Sequence, residues 1–424
     1  MKQEYRPRLV DQMIEQYLSA FGAICLEGPK WCGKTWTATR HSKSRIFLGD
    51  PSGNFQNRKL AETDPMLVLE GESPRLIDEW QEVPALWDAV RHQVDQSGHK
   101  GQFILTGSAT PTHKGILHSG AGRIAKVRMR PMSLFESGDS SGAVSLKSLC
   151  EGHLDPVMTG KTDIRDLIGL IIRGGWPGSV GLPIQEAILI PKEYLDVIID
   201  DDTFRVDGVR RDAIKMKRLL RSLARNESTP ASAGALRRDM QTTDDDDIDP
   251  GTIADYLSLF ERLFLIENQR PFTSEIRSST RIKLAEKRHF SDPSLAAALL
   301  EATPERLLND LATLGFLFEA LCERDLRCYA EVSGAQLFHY RDYKNREIDA
   351  VIENRDGSWC AVEIKLGANR IDEAAANLLR IQKEIANEPG GIPPSVLCVL
   401  CGLSNAAYRR EDGVFVVPIT VLRD

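Results

Sequence analysis

Gly28-Pro29-Lys30-Trp31-Cys32-Gly33-Lys34-Thr35 fits the pattern G-x-x-x-x-G-K-[ST] at every fixed position. The pattern has a physical meaning. Glycines let successive backbone N–H groups close around phosphate oxygens, the lysine reaches the outer phosphates, and the final hydroxyl can ligate Mg²⁺. Phe21-Gly22-Ala23-Ile24-Cys25-Leu26, just before it, reads as a short buried strand. Trp36-Thr37-Ala38-Thr39-Arg40, just after it, can open a helix whose N-terminus faces an anion. The eight residues of this P-loop, with Trp36 beside them, are the expected nucleotide-binding set. ATP and Mg²⁺ are the expected cofactors.

Hydrolysis also needs a carboxylate associated with Mg²⁺ and a group that orients water. Arg75-Leu76-Ile77-Asp78-Glu79-Trp80-Gln81 can supply both, as a strand ending in adjacent carboxylates. Ligands bind at that C-terminal edge of a parallel sheet. Asp78 is expected to hold Mg²⁺ with Thr35, and Glu79 to polarise the attacking water. The alternative is an acidic surface pair capping a helix that begins near Val83-Pro84. Gln102-Phe103-Ile104-Leu105-Thr106-Gly107-Ser108 is a second buried strand with a polar end. It resembles the sensor strand of ATPases that insert an extra strand between the P-loop strand and the Asp-Glu strand. Ser108 or Thr106 would then contact the γ-phosphate or the water, against a plain turn at Gly107. Gly120-Ala121-Gly122-Arg123 presents an arginine on a glycine-rich turn. Arg123 is the candidate for stabilising transition-state charge, a group often supplied by a neighbouring subunit.

The 424 residues suggest two or three domains. A hydrophobic content of 42% and a charged content of 27% are ordinary for a globular protein. No apolar run approaches membrane-spanning length, and the charged start lacks the pattern of a signal peptide. Eight scattered cysteines without C-x-x-C spacing suggest reduced thiols and a cytoplasmic protein. A net charge of −7 argues against coating nucleic acid through bulk charge.

Residues 205–225 nevertheless hold eight basic and two acidic residues, a local charge of +6. Met216, Leu219, Leu220 and Leu223 fall at helical spacing, with Arg211, Lys215, Arg218 and Arg225 on another face. Such a helix could meet DNA phosphates, an acidic neighbouring subunit, or solvent alone. Short helices follow at 231–240 and 252–265, the latter capped by Thr252 or Asp249, with the acidic run 244–247 between them and extended segments near Leu284 and Phe290 beyond. The second helix is not basic, and an acidic loop beside it would repel phosphate.

Farther on, Leu314 to Glu323 reads as an apolar helix with Glu319 among large side chains. A buried carboxylate is costly unless paired, metal-bound or protonated. Arg346 to Ile352 and Trp359 to Lys365 read as two strands of a hairpin. Alternation puts Glu363 and Lys365 on one face. A three-residue loop, Arg355-Asp356-Gly357, sets Asp349 opposite Glu363; a two-residue turn sets it opposite Ile364. The three-residue loop is expected. The pattern resembles the PD-(D/E)XK nucleases: Asp349 and Glu363 would bind Mg²⁺, Glu319 add a carboxylate, and Lys365 orient or activate water. Strands at 395–401 and 414–417 would extend the sheet.

Gly28 to Thr35, Leu76 to Gln81, Thr106-Gly107-Ser108, Arg130 to Gly138 and Gly174-Gly175-Trp176-Pro177 together resemble bacterial and archaeal AAA-type ATP-binding proteins. These carry a C-terminal domain of unknown function with a restriction-endonuclease-like fold. The resemblance runs along most of the chain. It implies an α/β protein with an additional-strand P-loop ATPase core at 1–160, a helical, winged-helix-like middle at 161–300, and a nuclease-like α/β domain at 301–424. The function expected is ATP hydrolysis controlling a nuclease-like domain, in a homo-oligomer acting on DNA or another nucleic acid. The alternatives are an ATP-dependent switch or scaffold whose inactive nuclease-like domain binds a protein partner, and an assembly motor that never touches DNA. No membrane role is expected.

Overall fold

The computed structural model describes residues 5–109, 116–241, 248–275, 284–342, 344 and 346–424. The acidic run 244–247 lies outside the described residues. The first unit is built on β1 (Ala23–Glu27), whose alternate side chains enter two different cores. Helix α1 (Val10–Ala20) precedes it, and α2 (Lys34–His41) follows the P-loop. Next come β2 (Ser44–Phe47), α3 (Ser52–Thr63), β3 (Arg75–Asp78), α4 (Ala85–Ser97), β4 (Phe103–Gly107) and β5 (Ile124–Arg128). The strands form a parallel sheet of order β2-β3-β4-β1-β5, so β4 lies between the P-loop strand and the Asp-Glu strand. Ala23 and Cys25 pack with Leu86, Val90 and Val94 of α4 on one face. Ile24 and Leu26 pack with Val10, Ile14 and Ala38 on the other. Burial on both faces explains why these strands read as unbroken apolar runs.

The C-terminal sheet has seven strands, in the order β7-β12-β13-β11-β10-β9-β8. β8 (Gln336–Arg341), β9 (Glu347–Glu353) and β10 (Trp359–Lys365) are antiparallel neighbours, and β11 (Val396–Cys401) and β13 (Phe415–Pro418) join in parallel. β12 (Ala406–Arg409) is antiparallel to β13 and continues to β7 (Val157–Met158). A separate pair joins β6 (Val144–Ser145) to β14 (Leu422–Arg423). The stretch 144–158, placed with the first unit on sequence grounds, therefore supplies edge strands to the last. Its pairing partners lie more than 240 residues away, beyond the reach of local pattern.

The middle is helical. The basic stretch is two helices, Thr203–Asp207 and Ala213–Arg225, parted at Gly208 with φ 73°. Part of its charge is paired within the chain. Arg211 pairs with Asp207 and Asp255, Lys217 with Asp196, Arg221 with Glu301 and Arg225 with Asp239. Of the face that could meet phosphate, an acidic subunit or solvent, Arg211 and Arg225 are thus engaged by acidic side chains of this chain. Helices Ala233–Met240 and Pro250–Arg262 follow, the second capped by Asp249. A short antiparallel ribbon then pairs Glu267 and Gln269 with His289 and Lys287, and Thr229 adds a bridge to Arg288.

The units meet closely. A Cβ on Gly175 would lie 2.1 Å from the Met132 carbonyl oxygen, and the Gly175 N–H donates to Asp292 at 2.9 Å. Backbone cannot yield as a flexible side chain would. Gly175→Ala is expected to lower stability by about 1–3 kcal/mol in urea unfolding; unchanged stability would mean that this contact relaxes freely.

Candidate functional site

The P-loop leaves β1 at its C-terminal edge and enters α2 through Gly33, whose φ of 102° suits glycine. A Cβ on Gly28 would lie 2.0 Å from the Met129 carbonyl oxygen, so only glycine permits this approach. Lys34 is buried, its ammonium donating to the carbonyls of Gly28 at 2.8 Å and Pro29 at 2.7 Å. Thr35 donates to Asp78 at 2.9 Å, joining the first turn of α2 to the end of β3. Thr106, at the end of β4, donates to the same Asp78 oxygen at 2.7 Å and accepts from the Glu79 N–H at 3.0 Å.

Glu79 is held in left-handed backbone conformation, φ 58° and ψ 46°. That conformation is strained for a residue other than glycine and gathers at functional sites. Its carboxylate accepts from Ser108 at 3.1 Å and from Gln81, whose amide also reaches Ser108 at 3.3 Å. Burial raises the Glu79 pKa, with Lys34 opposing. A carboxylate so raised is a better proton acceptor near neutral pH.

Lys34, Thr35, Glu79, Gln81 and Ser108 border a cavity of about 1370 Å³. Lys30, Trp31, Gly33, Lys34, Thr35 and Trp36 line it from the P-loop side, and Glu79, Gln81 and Ser108 from the sheet edge. Trp31 and Trp36 stand at its rim, 65% and 54% exposed. Cys32 does not line it: the thiol is buried, 3.7 Å from the Met129 carbonyl oxygen. Arg8, Pro177, Asp202 and Arg205 also line the cavity. They come from distant parts of the chain and carry no local sequence signal. Gln81 had one, standing two residues after Glu79. The residues fit a nucleotide with Mg²⁺. Thr35 and Asp78 offer adjacent hard oxygen donors, and the Gln81 Oε1 is buried without a partner.

Arg123 is elsewhere. It precedes β5 at the N-terminal edge of the sheet, exposed, and donates to Asp95 at 2.7 Å. It cannot serve the P-loop of its own chain.

The second carboxylate set sits on the C-terminal sheet. The hairpin has the three-residue loop: the Asn354 N–H donates to the Ser358 carbonyl, the Gly357 N–H to the Asn354 carbonyl, and Gly357 has φ 84°. The strands pair from Trp359↔Glu353 to Val362↔Ala350, and one further step along this register sets Asp349 opposite Glu363. Asp349 accepts from the Ile364 N–H at 2.8 Å and from Lys365 at 3.1 Å. Glu363 accepts from Lys365 at 2.6 Å and from Asn377 at 3.0 Å. Glu319, on the helix Leu311–Val332, lies against a second ammonium. Lys287, 2% exposed, reaches Glu319 at 2.9 Å, Glu347 at 3.6 Å and Asp349 at 3.7 Å.

The expected metal set is therefore a carboxylate cluster neutralised by two lysines. Among the described residues no group of three or more His, Cys, Asp or Glu side chains is arranged to hold a metal ion. In this arrangement the lysine ammoniums take carboxylate oxygens that a metal would use. Lys287 was not foreseen, because it arrives on the ribbon of the middle segment, far from the hairpin in sequence.

Residues 20–137 match the AAA domain family. Residues 164–306 and 314–422 match two domains of unknown function, DUF8612 and DUF4143. Two uncharacterized proteins, from Mycobacterium bovis and Mycobacterium tuberculosis, are each 25% identical over 334 residues, 78% of this chain and 67% of theirs. A Walker-type ATPase of Pyrococcus abyssi aligns over 70% of this chain and 99% of its own, with 14% identity and a TM-score of 0.41. The replication initiator DnaA bound to AMPPCP and single-stranded DNA aligns over 60% of this chain and 86% of its own, with 13% identity and a TM-score of 0.26. Likeness at those scores carries no assignment. The family match and the parallel sheet make the N-terminal unit an AAA-type, ATPase-like domain. Among the described residues no helix is long and apolar enough to cross a membrane.

Burial raises the pKa of Glu319 and of Glu363 to about 7, with Asp349 adding to the rise and the lysines opposing it. A carboxylate whose pKa is higher folded than unfolded favours the fold below its ordinary value of 4.5. It loses that contribution as pH rises through about 7. The share of stability in urea that each carboxylate supplies falls from about pH 5 to about pH 8, by up to about 3 kcal/mol, while His289 and His339, whose pKa values burial lowers, contribute the opposite slope up to about pH 6.5. The difference between wild type and Glu319→Gln isolates one carboxylate's share. Identical pH profiles for the two would contradict the burial of Glu319.

Proposed function

We propose that the chain binds ATP with Mg²⁺ and hydrolyses it, and that the nucleotide state is relayed to the C-terminal α/β unit. The observation that carries this reading is the pairing of Thr35 with Asp78 beside a half-buried Glu79 held by Ser108 and Gln81, with Thr35, Glu79, Gln81 and Ser108 lining one cavity. In this reading the P-loop N–H groups and Lys34 hold the phosphates. Thr35 and Asp78 hold Mg²⁺, which supplies charge neutralisation when bound. Glu79 accepts the proton of the attacking water, and Ser108 and Gln81 fix its carboxylate. Arg123 would serve a neighbouring copy's site in an oligomer.

The readings of the C-terminal unit divide on Lys287. Control of a nuclease-like centre is the leading notion for the fold of hairpin, Asp349, Glu363 and Lys365. The ion pairs that occupy every one of those carboxylates favour the second: an ATP-dependent switch or scaffold whose C-terminal unit binds a partner and cuts nothing. The helix pair and the ribbon of Glu267 to Gln269 against Lys287 to His289 support a winged-helix-like reading of the middle, in which the basic helix, part of its charge paired within the chain, serves packing rather than DNA.

Lys34→Ala is expected to abolish binding of a fluorescent ATP analogue. Glu79→Gln should keep that binding and lose at least about 100-fold in turnover, the scale of a lost general base. Unaltered turnover in Glu79→Gln would remove Glu79 from the chemistry. Mg²⁺-dependent cutting of DNA by the wild type, abolished by Asp349→Ala, would overturn the scaffold reading. If Arg123 acts across an interface, turnover per chain should rise with protein concentration, and Arg123→Ala should remove the rise.

A further inference from the structure

The nucleotide cavity is closed on one side by the middle segment. Helix Leu189–Val197 runs into a π-helical turn, Ile198–Asp202, and then into Thr203–Asp207. Single π-turns of this kind recur at functional sites. Here the turn aims Asp202 at the P-loop. One carboxylate oxygen accepts from the Lys30 ammonium at 2.6 Å, across 172 residues of sequence. The other oxygen is buried without a hydrogen-bond partner, and the residue is only 5% exposed. Lys30, Asp202 and Arg205 all line the cavity.

Lys30 lies inside the loop whose backbone closes around phosphate. Its four-carbon stem has many rotamers, and a free ammonium must be ordered afresh by each ligand. A charge-assisted bond to a buried carboxylate orders it during folding instead. The arrangement has a sign constraint as well. A bare carboxylate beside a polyphosphate would repel it, whereas an ammonium between the two attracts both. The unpartnered oxygen leaves Asp202 an acceptor to spare when the ammonium turns toward the ligand.

We propose that Asp202 is a positioning residue of the nucleotide site. It acts through Lys30, so that the middle segment completes the pocket for a nucleoside triphosphate. This rests on the ATP reading above. Steady-state turnover and ATP-analogue binding by the full chain test it. Asp202→Asn is expected to raise the KM for ATP at least fivefold, with kcat within twofold of wild type. Lys30→Met should do the same, and the double variant should be no worse than the worse single one, because both remove one interaction. Asp202→Glu, with an unchanged melting temperature, should bring KM back within twofold of wild type. An unchanged KM in Asp202→Asn, additive losses in the double variant, a fall in kcat alone, or no rescue by glutamate would each overturn the proposal. A wild type that fails to bind the analogue would overturn the ATP reading with it. Binding by the wild type with any of the four failures would overturn this proposal alone.

Discussion

The guanidinium of Arg8 ties the P-loop to the segment that follows β5. It donates to the Cys32 carbonyl of the P-loop at 2.7 Å, to the Arg130 carbonyl at 2.9 Å and to the Glu136 carboxylate at 2.8 Å. Burial works against its charge, but Glu136 overcomes this and its pKa is raised. Glu136 in turn closes a capping box with Ser133 and accepts from the Leu9 N–H. A buried ion pair of this kind gains little over an apolar pair of the same shape, yet removing one partner costs roughly 3–5 kcal/mol. Its value is geometric, because it fixes the back of the phosphate-binding loop.

From that point the contacts run outward. Arg130 clamps Glu267 of the middle segment and Glu331 of the helix Leu311–Val332. Arg327, on the same helix, reaches Glu267, and Asp325 accepts from the Leu134 N–H. Twelve residues back along that helix from Glu331, or about 18 Å, Glu319 holds Lys287 beside Asp349. One rigid element thus touches the residues behind the P-loop at one end and the C-terminal carboxylates at the other. Such continuity is the material from which coupling between sites is made, though coupling itself is a difference in free energy and not a path.

The two carboxylate sets show how environment divides like groups. Glu79 faces a cavity, and it and Asp78 bond to hydroxyls and an amide rather than to ammonium groups. Asp349, Glu363 and Glu319 face ammonium groups, which use the same lone pairs a metal would need. Fold and spacing are alike favourable in both places, and the chemistry still parts according to what a distant segment brings.

The P-loop, the Asp78-Glu79 strand and the three-residue hairpin loop could be read from residues close in sequence, because backbone conformation and strand alternation are local rules. The helix capped at Asp249 and the apolar helix holding Glu319 were legible for the same reason. The pairing of the strands at 144–158 with C-terminal segments was not, nor the ion pairs that engage part of the basic helix, nor the burial of the Cys32 side chain away from the cavity. Above all, Lys287 among the carboxylates and Asp202 against Lys30 were decided by tertiary structure alone. Each joins segments that no periodicity relates, and a charge acquires its role only from the partner and the burial that folding assigns to it.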